Sequence, residues 1–259
     1  MIWIAWYLRE LVFPSTCASC GAEGGEIICP RCLREMPGLP RPACPLCASP
    51  TLYPVEACRR CRRRRPGFDR AVALGLYQGS LRDMVLELKY RNGRRLAPLL
   101  GAMLAAEAGR ELGGEEAEAV TFVPMHRARE RKRGYNQAGL LAREVSRHLG
   151  LPLLAPLVRT RDTPPQAGLS HRERLANLKG CFAVKEGAEV PGSLLLVDDV
   201  LTTGATLSGC ASSLKRAGAE RVVVLVAARD LPSAPAAQPA GERRVPGRRG
   251  PDGRGKAWG

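Results

Sequence analysis

Apolar residues between positions 68 and 230 follow two spacings. Short, continuous apolar runs predict buried strands, and apolar residues that recur every three or four positions predict helices. The predicted strands are residues 71–77, 120–123, 194–197 and 222–227. The predicted helices are residues 81–90, 96–112, 137–149 and 205–217. Strands that alternate with helices indicate an α/β fold with a parallel sheet flanked by helices, and such sheets bind ligands beyond the carboxyl ends of their strands.

Cysteines dominate the segment that precedes this pattern. Eight of the ten cysteines lie before residue 62, in four CxxC pairs. The pairs are Cys17/Cys20, Cys29/Cys32, Cys44/Cys47 and Cys58/Cys61. Zinc binds four thiolates in a tetrahedron, and CxxC spacing turns two thiolates toward one ion. The segment therefore predicts a small zinc-ribbon module with two zinc sites, and a disulfide framework is the alternative.

The zinc ligands are predicted to group in sequence order. One ion takes Cys17, Cys20, Cys29 and Cys32, and the other takes Cys44, Cys47, Cys58 and Cys61. A crossed arrangement is compatible with the same spacing and stays open. Four thiolates leave no coordination position for water, which favours a structural over a catalytic role.

Composition divides the chain into three parts. Residues 1–66 combine a short amphipathic helix, predicted at residues 1–13, with the double zinc ribbon, and residues 67–230 form the α/β domain. Residues 231–259 are rich in Pro, Ala, Gly and Arg and are predicted to be a disordered basic tail. Neither a signal peptide nor a transmembrane helix is predicted, so we expect a cytoplasmic protein that meets the membrane only through partners.

Positive charge is concentrated rather than spread along the chain. The formal net charge is +15, and residues 121–180 hold twelve Lys and Arg against four Asp and Glu. Five of these cations lie within residues 127–133, in a predicted loop after the strand 120–123. This density predicts a polyanionic ligand, either a phosphorylated small molecule or nucleic acid. General solubility is the alternative for this basic segment. The arginine run 62–65 could contact a nucleic-acid backbone and is equally compatible with a solvated linker.

The segment 194–206 joins a predicted strand to a predicted helix. Two adjacent acids, Asp198 and Asp199, follow the strand, and a turn rich in hydroxyl groups and glycine follows the acids. Backbone N–H groups at a helix N-terminus bind phosphate, and glycine lets the backbone approach it closely. Adjacent carboxylates accept hydrogen bonds from ribose hydroxyls or help to hold Mg²⁺. A capped strand-to-helix turn is the purely structural alternative.

A long polar excursion separates the basic segment from the last two strands. Pro164 and Pro165 prevent regular structure within residues 159–177. Loops of this length inside a domain are usually functional, and we predict a lid that excludes water from the site. Gln166 and Arg174 are its candidate site residues, and Lys89 and Tyr90, at the end of the helix 81–90, are further candidates.

Three strings carry a resemblance to known families. They are LLLVDDVLTTGATL at residues 194–207, VPMHRARERKRGYNQAGLLA at residues 123–142 and RTRDTPPQAGLSHRERLANLKGCF at residues 159–182. The first is similar to the sequence with which type I phosphoribosyltransferases bind 5-phosphoribosyl pyrophosphate (PRPP). Together with the CxxC head, the three resemble the ComF/ComFC family, which are bacterial proteins with an N-terminal zinc ribbon and a phosphoribosyltransferase domain. The resemblance covers residues 1–230.

This resemblance implies a type I phosphoribosyltransferase fold and a PRPP site. It assigns Mg²⁺ and PRPP to Asp198, Asp199, Leu201, Thr202, Thr203, Gly204, Ala205 and Thr206. It assigns the pyrophosphate group to the lid and to His126, Arg127, Arg131 and Arg133. The candidate catalytic residues are Asp198, Asp199, Arg127 and Arg129.

The resemblance also implies two classes of function. The family is linked to competence, the uptake and processing of single-stranded DNA, and its members are commonly described as amidophosphoribosyltransferases. The protein is then either an enzyme that transfers a phosphoribosyl group and releases pyrophosphate, or a non-catalytic PRPP sensor or single-stranded-DNA-binding adaptor of the competence machinery. Fold alone does not decide between them.

Overall fold

The computed structural model describes residues 16–24, 26–91, 93–114, 117–161 and 180–231. Three predictions lie outside these residues, namely the helix at residues 1–13, the lid residues Gln166 and Arg174, and the tail from residue 232 onward. The described residues include all eight CxxC cysteines and the predicted strands and helices of the α/β domain.

A parallel sheet lies at the centre of the α/β domain. The strands are β1 (Arg70–Leu76), β2 (Ala119–Phe122), β3 (Leu157–Arg159), β4 (Phe182–Val184), β5 (Ser193–Leu201) and β6 (Arg221–Arg229). Four of them form the sheet in the order β1-β6-β5-β2, and every neighbouring pair is parallel. Strands β3 and β4 form a separate antiparallel pair. The prediction of a parallel sheet flanked by helices is therefore confirmed.

Seven α-helices lie in the described part of the chain, and four of them cover the two faces of this sheet. The helices are α1 (Pro30–Arg34), α2 (Arg59–Arg63), α3 (Gly79–Tyr90), α4 (Ala97–Leu112), α5 (Arg127–Arg133), α6 (Gln137–Leu149) and α7 (Ala205–Arg216). Helices α3, α4 and α6 pack on one face, and α7 packs on the other. Helix α6 has the bounds that the sequence predicts, because its ends carry their own signals. The Asn136 side chain accepts hydrogen bonds from the N–H groups of Ala138 and Gly139, and Gly150 ends the helix at φ 67°.

Alternate residues of the central strands build two separate hydrophobic cores. In β5, Leu195 and Val197 pack with α3, α4 and α6, whereas Leu194 and Leu196 pack with α7. Because successive side chains of a strand point to opposite faces, an unbroken apolar run is what a strand buried on both faces requires. All four of these side chains are at most 1% exposed. Burial of one such side chain contributes about 1.5–3 kcal/mol.

Two boundaries near the predicted site were wrong. Strand β5 was expected to end at Val197, but it continues to Leu201 because Val200 and Leu201 pair with the last residues of β6. Residues 127–133 were expected to be a loop, but they form α5. Arg, Lys, Ala and Glu are good helix formers, the His126 side chain caps the first turn, and Gly134 ends the helix at φ 81°.

The cysteine-rich module packs directly on the α/β domain. Gly38 forms a bridge with Gly75 of β1, and a Cβ atom on Gly75 would lie 1.9 Å from the Pro37 carbonyl oxygen. Only glycine allows this close approach of two backbones. The Ser80 hydroxyl donates a hydrogen bond of 2.8 Å to the Cys32 carbonyl, which also fixes the module against α3. None of the helices in the described part of the chain has the length and hydropathy of a membrane span.

Candidate functional site

The eight CxxC cysteines form two groups in the predicted sequential order. All four Sγ atoms of each group lie within 4.8 Å of one another. The Sγ atoms of Cys20 and Cys29 are 3.7 Å apart, as are those of Cys47 and Cys58. A ZnS₄ tetrahedron with Zn–S bonds of ~2.3 Å has S···S edges of about 3.8 Å, so both groups fit structural zinc. A disulfide needs about 2.05 Å, and the alternative of a disulfide framework is therefore wrong.

The two zinc sites contact different parts of the α/β domain. The first site, formed by Cys17, Cys20, Cys29 and Cys32, contributes to the core under α3, and the neighbouring Ser19 donates to Asp83 of that helix at 2.8 Å. The second site, formed by Cys44, Cys47, Cys58 and Cys61, lies beside the start of β1, where the N–H of Ala71 donates to the Pro45 carbonyl at 2.9 Å. The second site also approaches the end of β5.

Asp199 lies at the centre of a polar network at the carboxyl end of β5. Its Oδ1 atom lies 2.9 Å from Lys89 Nζ, and its Oδ2 atom accepts a 2.7 Å hydrogen bond from Gln137 Nε2. Burial alone lowers the pKa of Lys89, but the charge and hydrogen bond of Asp199 outweigh it and raise that pKa. The Asp199 side chain is 6% exposed and Lys89 is 20% exposed, so the pair is stabilised by partners rather than by water.

Asp198 occupies the opposite face of the same strand. Successive strand residues alternate, so Asp198 lies on the α7 side, where its charge acts on Cys210. Its Oδ1 atom accepts a 2.9 Å hydrogen bond from the Asp199 N–H. Burial and the neighbouring Asp199 charge raise the pKa of Asp198 to about 8. The two adjacent acids therefore differ in role, because Asp199 is already paired whereas Asp198 resists ionisation.

The predicted phosphate loop lies between β5 and α7. Gly204 precedes the helix at φ 77°, a conformation that side chains other than glycine rarely adopt. Thr203 accepts a hydrogen bond from the Ala205 N–H through Oγ1, at 3.4 Å, and Thr202 and Thr206 are half-buried nearby. The turn therefore has the predicted arrangement of hydroxyl groups, glycine and helix N-terminus.

The basic helix α5 is joined to the acidic pair through one side chain. Arg133 donates to Gln137 Oε1, and Gln137 donates in turn to Asp199. Arg127 and Arg131 are exposed, and Arg129 and Arg133 are partly buried. His126 caps the helix, with its Nδ1 accepting from the Ala128 N–H at 3.4 Å. The predicted acidic and basic halves of the site therefore meet at Gln137, a residue for which no role was predicted.

Two arginines that were not predicted as site residues donate hydrogen bonds to backbone carbonyls of the predicted phosphate loop. Arg229, at the end of β6, is 1% exposed and donates hydrogen bonds of 2.7 Å to the carbonyls of both Leu201 and Thr202. Arg60, from α2 in the second zinc site, donates to the Thr203 carbonyl. An arginine at the end of an apolar run was the available signal for Arg229; the position of Arg60 within Cys58–Cys61 carried none.

Comparisons with known proteins cover the cysteine module and most of the chain. Residues 8–62 match the family model described as the double zinc ribbon domain. "Competence protein F" of Haemophilus influenzae is 34% identical over 204 residues, which are 76% of this chain and 88% of the relative. "DNA utilization protein YhgH" of Escherichia coli K12 is 33% identical over 229 residues, which are 85% of this chain and 100% of the relative.

This chain belongs to the ComF family. "Competence protein ComFC" of Bacillus subtilis is more distant, with 27% identity over 201 residues, 74% of this chain and 80% of the relative. The predicted membership in the ComF family is thus confirmed, and its zinc ribbon is confirmed by the matched domain and by the two cysteine groups.

Two solved structures overlay on about half of this ComF chain. One is the allosteric regulatory enzyme of purine biosynthesis, with 23% identity, a TM-score of 0.38 and coverage of 55% of this chain and 30% of that chain. The other is the glutamine PRPP amidotransferase from B. subtilis in complex with ADP and GMP, with 22% identity, a TM-score of 0.37 and coverage of 54% and 30%. This chain therefore matches less than a third of the length of either enzyme.

Proposed function

We propose that this ComF protein binds PRPP with Mg²⁺, transfers its phosphoribosyl group with release of pyrophosphate, and acts in a process linked to DNA uptake. One observation carries the proposal. At the carboxyl end of β5, two acids and a turn with a helix N-terminus lie together, and Gln137 connects the acids to the basic helix α5. An acidic group for a ribose and two sites for phosphate groups are the features that PRPP requires.

The 5-phosphate of PRPP would bind the turn at residues 202–206. The N-terminus of α7 offers backbone N–H groups and the positive end of the helix dipole. The hydroxyls of Thr202, Thr203 and Thr206 add donors, and the left-handed conformation of Gly204 supports the turn. Leu201 and Ala205 would contribute through their backbone only, because their side chains are buried.

Asp198 and Asp199 would bind the ribose hydroxyls. Carboxylate oxygens are ligands that Mg²⁺ prefers, so both acids fit this ion chemically, although Asp199 is already paired with Lys89 and Gln137. Mg²⁺ would supply charge neutralisation of the pyrophosphate group. A cation near Asp198 would also favour its ionised form against the burial that raises its pKa to about 8.

The cations of α5 would stabilise the leaving group. Transfer forms a bond between the acceptor nucleophile and the anomeric carbon of the ribose, and the bond from that carbon to pyrophosphate breaks with its electron pair on the pyrophosphate oxygen. In this proposal the cations that would face the developing negative charge are Arg127, Arg129, Arg131 and Arg133 of α5, with His126 at the start of the helix. Fixed cations lower the barrier to such a step. Gln166 and Arg174 remain proposed residues of a lid that excludes water.

Calorimetric titration with Mg²⁺–PRPP tests the binding step. Wild type should bind, and Asp198→Asn should lose at least tenfold in affinity because a ligand of the ribose and metal is removed. Glu220→Gln is the matched control, since Glu220 is an exposed acid in the turn that precedes β6. No heat and no competition in wild type would contradict the proposal. Release of pyrophosphate when PRPP is incubated with a metabolite pool would then separate an enzyme from a PRPP sensor.

A second candidate function is binding of single-stranded DNA without catalysis. It is supported by the names of the relatives, a competence protein and a DNA utilization protein, and by the exposed cations of α5. Binding through phosphate contacts weakens steeply as salt rises. A salt titration with single-stranded oligonucleotides should therefore give a steep negative slope, which Arg127→Ala and Arg131→Ala should each reduce. An affinity that does not depend on salt would exclude this surface.

A further inference from the structure

The second zinc site and the phosphate loop share a boundary that the first zinc site lacks. A cavity of about 280 Å³ lies at this boundary. Its walls include Cys47 and Cys61 of the second site, Arg60 of α2, and Thr203 and Gly204 of the loop. No cysteine of the first site is among the described residues that line it.

Three consecutive carbonyl groups of the loop are held by arginines at this boundary. Arg229 Nη1 donates to the carbonyls of Leu201 and Thr202, and Arg60 Nη2 donates to the carbonyl of Thr203. In a planar trans peptide the N–H group points opposite to the preceding carbonyl. Because the carbonyls of residues 201–203 point toward Arg229 and Arg60, the N–H groups at positions 202–204 point away from these two arginines. In the proposed function these N–H groups would bind the phosphate.

Both arginines depend on the second site for their own positions. Arg60 lies between the ligands Cys58 and Cys61, so the metal fixes the backbone that carries it. Arg229 Nη2 donates a 3.0 Å hydrogen bond to Ser49 Oγ, and Ser49 Oγ in turn lies 3.3 Å from Cys47 Sγ, where its hydroxyl can donate to the zinc-bound thiolate. The link from ligand Cys47 to the loop carbonyls therefore passes through two side chains only.

Electrostatics favour the same coupling. A buried cation is costly unless an opposite charge lies close to it. Arg229 is 1% exposed, and burial lowers its pKa overall; the nearby Arg60 cation acts in the same direction, whereas the charges of Cys47 and Asp230 favour the cationic form. Zinc bound to four thiolates has a net negative charge, so a metal-loaded second site places an opposite charge beside the Arg229 guanidinium.

We propose that zinc in the second site, and not in the first, holds the 202–206 loop in its phosphate-binding conformation through Arg229 and Arg60. Arg229 and Arg60 are then positioning residues, which act on the ligand only through the loop. The inference that phosphate binding is affected rests on the proposed function; the inference that the loop conformation is affected does not.

Amide hydrogen exchange of the loop in the full-length, zinc-loaded protein tests the coupling without any ligand. Arg60→Ala should increase exchange at residues 202–206 at least fivefold while the zinc content stays the same. Arg59→Ala is the matched control, because Arg59 is the adjacent exposed arginine of the same helix and should leave loop exchange unchanged. Equal exchange in Arg60→Ala, Arg59→Ala and wild type would overturn the role of Arg60.

Removal of one metal at a time tests the asymmetry between the sites. Cys58→Ser and Cys20→Ser should each lower the zinc content by one ion per chain. Cys58→Ser should accelerate loop exchange at least tenfold, and Cys20→Ser should not. If Cys58→Ser unfolds the whole chain, loop exchange is measured in Arg229→Lys instead, because lysine keeps the positive charge but loses the paired contacts with the two carbonyls. Equal loop exchange in Cys58→Ser and Cys20→Ser, or in Arg229→Lys and wild type, would overturn the proposal.

A Mg²⁺–PRPP titration of the same variants separates this proposal from the proposed function. If wild type binds PRPP, Arg60→Ala should weaken binding at least fivefold and Arg59→Ala should not. If loop exchange responds as expected but wild type binds no PRPP, the coupling stands and the proposed function fails. If wild type binds PRPP but neither exchange nor affinity responds to Arg60→Ala and Cys58→Ser, the proposed function stands and the coupling fails.

Discussion

The ion pair of Lys89 and Asp199 should be a main contribution to the stability of the site. The charged atoms are 2.9 Å apart, and the side chains are 20% and 6% exposed. At an effective dielectric constant of ~20 the attraction is about 6 kcal/mol before the cost of removing both ions from water is subtracted. Removing only one partner leaves the other charge buried, so we expect Lys89→Met to cost about 3 kcal/mol of unfolding free energy.

A double-mutant cycle measured by urea denaturation at neutral pH tests this estimate. The variants are Lys89→Met, Asp199→Asn and the double mutant, and the coupling energy should be about 2 kcal/mol. The pair of Arg147 and Glu144 is the matched control, with the same distance of 2.9 Å but an arginine that is 64% exposed, and its coupling should be about 0.5 kcal/mol. A Lys89–Asp199 coupling as small as that of the control would refute the argument that burial strengthens this pair.

Three further predictions concern other parts of the structure. Purified protein should contain two zinc ions per chain by elemental analysis, and a single ion would contradict the geometry of one cysteine group. Asn136→Ala removes the cap of α6 and a 3.0 Å hydrogen bond to the Val123 carbonyl. The unfolding free energy measured with urea should therefore fall by about 1–2 kcal/mol, and an unchanged value would contradict the stabilising role of the cap. The folded protein should keep a proton on Asp198 up to about pH 8, whereas the unfolded chain loses it near pH 4. The unfolding free energy of wild type relative to Asp198→Asn should therefore fall as pH rises between these values, by at most about 1.4 kcal/mol per pH unit. Parallel stability curves for the two proteins would contradict the raised pKa.

The fold was predictable wherever local signals agreed with long-range packing. The apolar runs of β5 and β6 predict strands buried on both faces, and the cysteine spacing predicts both metal sites. Helix α6 was predicted to the residue because Asn136 and Gly150 mark its ends. The end of β5 was not, because Asp198 and Asp199 resemble the start of a loop, and only pairing with β6 extends the strand past them.

The contacts that hold the site residues in position were not predictable, because they join residues that are far apart in sequence. Asp199 contacts Lys89 and Gln137 from two different helices; Lys89 was a candidate site residue, but no local pattern indicates its contact with Asp199 or any role for Gln137. Arg229 was missed because it follows a run of buried residues whose composition predicts only a strand. Sequence motifs therefore indicated the groups that face a ligand, whereas the groups that hold them in place required the structure.

Amide hydrogen exchange with added ligands tests the central claim most directly, because it reports where a ligand binds. We expect Mg²⁺–PRPP to slow exchange at residues 202–206, and ribose 5-phosphate to do the same, since both carry the 5-phosphate. Pyrophosphate alone should protect α5 and leave residues 202–206 unchanged. Binding of PRPP with protection elsewhere and none at residues 202–206 would contradict the assignment of this loop as the phosphate site.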